Sequence, residues 1–313
     1  MEVSDFYDLK RLFHVRDVLQ GLDPAHLPRA IAMGEGLPSA STRIGFLSGS
    51  FNPPTLAHVE LALQAKKSLH LDRLIFVISK VTVDKERVEG LLLEDRLLLL
   101  SLLAENLEGT SVVLVNRGLY FEQTSAYRSL LGNRAKIYLI VGLDKVMQIF
   151  DPHYYEDRDA ALKTLFAEAQ MIAAGRGHWE GGDLERLLTR TENQVFQDRV
   201  YPLELSEGVR EISSSALRAI IAAGKSFEDQ LPELVQRVLT EIGAYRPRYE
   251  YRQLLLDLLY RVREWAEKEC DFRALDGVAG EESQRGERLR ELLRSARSSS
   301  SQLKEALSVF LRS

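Results

Sequence analysis

Short runs of continuous apolar residues alternate along the chain with longer segments whose apolar positions recur every three or four residues. Ile44 to Ser48 reads as a strand ending at Gly49, and Leu56 to Leu69 as a helix. Leu74 to Ile78, Ser111 to Val115, Lys136 to Val141 and Met171 to Ala174 repeat the strand pattern. Helical patterns over Leu92 to Asn106, Gln123 to Leu131 and Asp157 to Ala169 separate them. Val200 to Leu205 reads as a last strand before a helix opening at Ser214. Strands without polar alternation are buried on both faces, so this order predicts an α/β fold with a doubly wound parallel sheet.

The two ends of the chain depart from that alternation. Residues 1–42 begin with a helical stripe (Phe6, Leu9, Leu12, Phe13) and loosen into a Gly- and Pro-containing stretch from Met33 to Thr42. After Tyr245 the strands stop. Tyr251 to Ala266 carries an apolar stripe of Leu254, Leu255, Leu258, Val262 and Trp265, too wide to stay in water. A polar stretch over 276–287, a helix from Leu289, a break at Ser298 to Ser301 and a final helix to Leu311 follow. The expected organisation is a helical extension (1–42), an α/β domain (43–245) and a second helical extension (246–313).

Composition narrows the classes of function. A net charge of −5 over 313 residues argues against broad binding to nucleic acid or anionic lipid. One cysteine, Cys270, forms no intrachain disulfide and suits a reducing compartment. The start, Met1 to Asp5, is acidic and lacks an apolar segment. The strongest apolar run, Leu97 to Ala104, is half the length of a membrane span. A soluble cytoplasmic protein is expected, with no nucleic-acid or membrane partner.

The chemistry should lie beyond the carboxyl ends of the strands, where ligands of open parallel sheets bind. The first strand runs into Gly49-Ser50-Phe51-Asn52-Pro53-Pro54-Thr55-Leu56-Ala57-His58. Gly49 permits a sharp turn and close approach of the backbone to a ligand. Two prolines stiffen the loop, and Thr55 is placed to cap the helix. His58 then falls in the first helical turn, where unpaired N–H groups and the dipole favour phosphate. Taken alone, the loop is also a plain turn and His58 a surface histidine. A second cluster, Ile212-Ser213-Ser214-Ser215-Ala216-Leu217-Arg218, gathers hydroxyls, helix-start N–H groups and a guanidinium into a polyphosphate cradle. A helix cap is the simpler alternative for the serines.

Together these motifs resemble the nucleotidyltransferase superfamily, and within it the nicotinamide/nicotinate mononucleotide adenylyltransferases. That family has a glycine-rich strand end leading into (H/T)xxH, here Gly49 to Thr55-Leu56-Ala57-His58, and a later ISSTxxR, here Ile212 to Arg218. Gly224, Ser226, Pro232 to Val235 and Tyr245 resemble the tail of its domain, so the likeness covers residues 43–245. It implies a Rossmann-like nucleotidyltransferase fold with His58 and Arg218 as catalytic groups. It implies ATP contacts at those two residues and at Gly49, Ser50, Phe51, Gly142, Asp144, Ser213, Ser214 and Ser215. Ser50, Phe51, Lys85, Phe121, Thr124 and Tyr155 would then meet the mononucleotide. An Asp at a strand end is also a common helix cap, and Lys85 also fits a solvated surface lysine. The family's tryptophans are replaced by Phe121 and by Tyr154 or Tyr155, Ser215 stands for threonine, and Lys80 to Gly90 lacks the usual sequence.

The implied reaction joins a nicotinamide or nicotinate mononucleotide to the AMP of ATP and releases pyrophosphate, with Mg²⁺ carried by the ATP phosphates and no metal ligand from the protein. No GxxxxGK[ST] or GxGxxG sequence occurs. Two alternatives remain. One is another small-molecule nucleotidyltransferase, such as one acting on phosphopantetheine. The other is a catalytically weak nucleotide-binding protein whose terminal helices bind a partner. Self-association is compatible with the unpartnered stripes.

Overall fold

The computed structural model describes residues 9–34, 43–81, 83, 90–175 and 181–245. Its elements run α1 (Leu9–Gly21), β1 (Ala30–Met33), β2 (Arg43–Ser48), α2 (Leu56–Ser68), β3 (Arg73–Ser79), α3 (Leu93–Glu105), β4 (Thr110–Val115) and α4 (Tyr120–Leu131). They continue as β5 (Lys136–Gly142), α5 (Leu143–Phe150), α6 (Arg158–Glu168), β6 (Ala169–Ala174), α7 (Gly181–Leu188), β7 (Val200–Leu203), α8 (Glu207–Arg210), α9 (Ser214–Ala222) and α10 (Glu233–Glu241). The stripe over 254–265, Phe6 and Lys85 lie outside the described residues.

The strands form one seven-stranded sheet in the order β1-β4-β3-β2-β5-β6-β7. All neighbouring pairs are parallel except β1 with β4. Side chains alternate between two cores, as the strand period requires. Leu74, Phe76 and Ile78 of β3 enter one core with α1, α2, α3, α9 and α10, whereas Ile75 and Val77 enter the other with α4 to α7. This is the doubly wound fold that the apolar runs predict.

Two features of the sequence acquire their reason here. The leucine run of α3 is apolar all round because the helix is covered on all sides. Leu97, Leu99, Leu100 and Leu102 are fully buried, with α1 and α10 packed against the helix. Ala30–Met33 is a strand just where the segment read as helical loosens at Met33. Four residues are too few to show a period, and only pairing along β4, from Ala30 opposite Val115 to Met33 opposite Val112, defines it. The segment ahead of the α/β domain is therefore both helical and part of the sheet. Val15, Leu19 and Leu22 from it are buried in the common core. Among the described residues no helix is long and apolar enough to cross a membrane.

The chain order reverses at β2, which has β3 on one side and β5 on the other. The loops leaving β2 and β5 therefore flank a cleft at the carboxyl edge, the expected ligand position in such sheets.

Candidate active site

The loop after β2 is held from several sides. Phe51 has a positive φ of 44° and is fully buried, with its ring edge-on to Phe76 at 5.5 Å. Only its backbone is available to a ligand. Asn52 is also fully buried. Its side-chain oxygen accepts from the Leu91 amide at 3.1 Å and from the Tyr245 hydroxyl at 2.9 Å. Gly90, at φ +109°, lies against both partners, where an added Cβ would sit 2.8 Å from Asn52 Oδ1 and from the Tyr245 ring. The last described residue is thus wired to the first loop. Burial pushes the Tyr245 phenol up, which keeps it the neutral donor this contact needs.

His58 occupies the third position of α2 and closes a capping box with Thr55. The Thr55 amide donates to His58 Nδ1 at 3.0 Å, and Thr55 Oγ1 lies 2.7 Å from the same nitrogen. A backbone amide can only donate, so Nδ1 is the acceptor and the neutral ring carries its proton on Nε2. The fold thereby fixes which nitrogen offers a hydrogen to an anion. The Phe51 ring, centred 5.0 Å from the imidazole and tilted 54° to it, packs beside it.

The second motif meets the first across more than 160 residues of sequence. Ser214 Oγ donates to Pro53 O at 2.9 Å, and Arg218 Nη1 donates to Asn52 O at 2.8 Å. Ser213 is the N-cap of α9, its hydroxyl accepting from the Ala216 amide at 3.1 Å. Two of the three serine hydroxyls are therefore committed to the protein. Ser215 is exposed at the helix start, 3.4 Å from Arg218 Nη2. Two helix N-termini, His58 and Arg218 thus share one rigid loop, an arrangement suited to polyphosphate.

Beside this loop lies a cavity of about 170 Å³. Ser48, Gly49 and Ser50 form its floor, and Tyr120, Tyr154 and Tyr155 supply aromatic faces. Its volume falls below the range of about 300–1,000 Å³ for whole-ligand pockets, so it suits one ring of a larger ligand. A larger cavity of about 520 Å³ opens between α1, α3, β1 and β4. It lies towards the amino end of β4, away from the loops that meet at the switch point.

The predicted residues around the cavity divide. Tyr155 lines it, with its hydroxyl donating to Ile149 O at 2.7 Å and its phenol pushed up to about 12 by burial. Phe121 does not line it. Its ring packs on Tyr155 at 6.0 Å, and the aromatic face one residue earlier, Tyr120, takes the expected position. Thr124 is buried, its hydroxyl donating to Tyr120 O within α4 at 2.8 Å, which leaves it inside the helix packing. Gly142 caps α5, and Asp144 is exposed in its first turn, close enough to Tyr120 to raise that phenol's pKa after the larger effect of burial.

Three further residues belong to the site. Arg96 is 6% exposed, lines the cavity and donates to Ser50 O at 3.0 Å. Its signal in the sequence is a charged pair, Asp95-Arg96, at the head of an apolar helix. Gln123 is 3% exposed and joins Ser48 to the Arg117 and Gly118 carbonyls. Lys145, bonded to Gln148 at 2.7 Å, lines the cavity from α5. The charged residues that line it, Arg96 and Lys145, are cations, which suits an anionic ligand. No group of three or more His, Cys, Asp or Glu that could hold a metal occurs among the described residues.

Comparison with known proteins finds relatives over about two thirds of the chain. A probable nicotinate-nucleotide adenylyltransferase of Syntrophotalea carbinolica is 26% identical over 219 residues, covering 65% of this chain and 97% of that protein. One from Thermoanaerobacter sp. is 23% identical and covers 65% of this chain and 94% of its own length. Among solved structures, nicotinic acid mononucleotide adenylyltransferase of Plasmodium falciparum complexed with NaAD is 17% identical, with a TM-score of 0.49 over 65% of this chain and 97% of that one. The family model described as cytidylyltransferase-like matches residues 46–220, from within β2 through Arg218. That span is more than half of the chain and contains both the Gly49–His58 loop and the Ile212–Arg218 cluster, and the protein belongs to the cytidylyltransferase-like family.

Proposed function

We propose that the protein is a nucleotidyltransferase that joins nicotinate or nicotinamide mononucleotide to the AMP of ATP. The observation that carries this reading is the junction of the two phosphate motifs, Arg218 on Asn52 O and Ser214 on Pro53 O, beside an aromatic-lined cavity. The named relatives supply the mononucleotide class. A 5′-phosphate oxygen of the mononucleotide attacks the α-phosphorus of ATP. The new P–O bond forms as the bond to the β-phosphate bridge breaks, and pyrophosphate leaves with that electron pair. No protein nucleophile takes part. His58, donating through Nε2, and Arg218 stabilise charge on the phosphoryl oxygens, and the helix N-termini orient the phosphates. Asp144 is placed for a ribose hydroxyl, and Ser215 and the α9 amides for the leaving phosphates. A divalent ion enters as part of the ATP substrate, carried by its phosphates.

Purified protein with ATP, Mg²⁺ and either mononucleotide is expected to give the dinucleotide and pyrophosphate in equal amounts, measured by chromatography and a coupled pyrophosphate assay. Turnover of neither mononucleotide above the His58→Ala protein refutes this reading. Turnover of phosphopantetheine instead assigns another substrate of the same chemistry.

The cavity's aromatic faces give a second expectation. Tyr120→Ala raises KM for the mononucleotide by roughly fivefold, about 1 kcal/mol of lost ring contact, and leaves KM for ATP nearly unchanged. Tyr120→Phe keeps the ring and stays near the wild type. Equal rises for both substrates would place Tyr120 in the packing rather than against the base.

A further inference from the structure

Residues 19–29 precede the part of the chain that the family model matches, and they rest on the carboxyl ends of β3 and β4. Helix α1 has no basic residue in its last turn. Its end is capped from outside, with the Lys80 ammonium donating to Leu19 O at 2.6 Å and to Leu22 O at 2.9 Å. A cation there satisfies helix-end carbonyls and complements the negative end of the dipole. Asn116, 1% exposed, donates to Asp23 O at 2.9 Å and Leu27 O at 3.0 Å and accepts from the Arg29 amide at 2.7 Å. Arg117 adds a bond to His26 O at 2.8 Å.

These three side chains sit between the segment and the cavity. Lys80 lies between Ser79 and Val81, and Asn116-Arg117 directly precedes Gly118-Leu119-Tyr120; all of those neighbours line the cavity. The two wall loops are also tied to each other, Ser79 Oγ donating to Arg117 O at 2.7 Å. They touch at Gly118, where an added Cβ would lie 2.9 Å from Val83 Cγ2 and 3.2 Å from Val81 O. A displacement of either loop therefore reaches the cavity.

We propose that residues 19–29 act as a strap that holds the cavity wall in its binding geometry, with Lys80 and Asn116 as positioning residues for the mononucleotide. The assignment of the cavity to the mononucleotide rests on the function proposed above. The strap itself stands on the contacts alone. Lys80→Met keeps the aliphatic stem and removes the donors to α1. It is expected to raise KM for the mononucleotide roughly three- to tenfold, with KM for ATP changed by less than about twofold, the scale of coupling carried through one packed network. Lys80→Arg, which keeps a cation at the helix end, recovers most of the difference. Hydrogen exchange followed by mass spectrometry should show faster exchange in peptides spanning 79–83 and 117–123 of Lys80→Met, with the peptides of β5 and β6 unaltered.

A wild-type protein that turns over neither mononucleotide ends the function proposed above, and hydrogen exchange then decides the strap by itself. Unchanged exchange in both wall loops overturns it. So does an active Lys80→Met protein with a lower melting temperature and lower kcat but the wild-type KM, the signature of a purely structural contact. Should Lys80→Met fail to fold, Arg117→Met removes only the bond to His26 and the ion pair to Glu122 (3.5 Å), and it must shift the same KM in the same direction.

Discussion

Replacing His58 by alanine is expected to lower kcat by roughly 10²–10³, about 2.7–4 kcal/mol, the usual loss for one preorganised donor facing developing charge. The structure adds a second consequence. Because Nδ1 accepts from the Thr55 amide, alanine also removes half of a capping box and should destabilise the fold by about 0.5–2 kcal/mol. The two effects separate in His58→Gln. Glutamine suits the third helical position as an acceptor for the capping amide, so the melting temperature should return towards the wild type while the rate does not. A His58→Gln protein with wild-type kcat removes the imidazole from the mechanism. Arg218→Ala acts on the same phosphoryl group with a larger share of its loss in ATP binding. The double variant should cost less than the sum of the two, since in the proposed mechanism both groups serve one transition state.

How far the sequence speaks for itself varies with the kind of constraint. The five parallel strands from β2 to β6 are legible because burial on both faces writes continuous apolar runs, and the helix at Ser214 because a serine cluster ahead of an apolar stripe is a cap. The loop after β2 is legible as a candidate phosphate site because Gly49, the prolines, Thr55 and His58 are neighbours in the chain. Ala30–Met33 is not, since a four-residue edge strand exists only through its pairing with β4. The junction of Arg218 with Asn52, at a separation of 166 residues, is equally invisible to local pattern. So is the one-residue difference between Phe121 and Tyr120. Successive helical residues point about 100° apart, and which of two adjacent aromatics faces the cavity depends on where the helix begins, here at Tyr120 itself. Arg96 and Gln123 are missed for a related reason. A polar residue on a helix reads as solvent-facing until its buried partners are known.

Gln123 should therefore show the largest stability effect in the site. Its amide orientation follows from its partners. The carbonyls of Arg117 and Gly118 can only accept, so Nε2 faces them at 3.1 and 2.9 Å, and Oε1 receives the Ser48 and Tyr127 hydroxyls at 3.0 and 2.9 Å. Tyr127 is fully buried and stacked on Phe46, with ring centres 4.0 Å apart. Gln123→Leu fills the same space with no polar atom. Ser48 and Tyr127, 3.1 Å apart, can then satisfy each other, which limits the damage on that side. The two carbonyls cannot pair, as both are acceptors, and each loses its partner at about 1–3 kcal/mol, less whatever water the cavity admits. A net loss of about 2–4 kcal/mol follows, or roughly 5–15 °C in melting temperature for a domain of this size. The surviving folded protein should also bind the mononucleotide more weakly than ATP, because the released carbonyls belong to the cavity wall. Tyr127→Phe provides the contrast, removing one hydroxyl from the network at about 1 kcal/mol and leaving the wall in place. If Gln123→Leu instead melts within about 2 °C of the wild type and keeps its KM values, below even the least shift expected for a 1 kcal/mol change, water replaces the amide without loss and the wall does not depend on it.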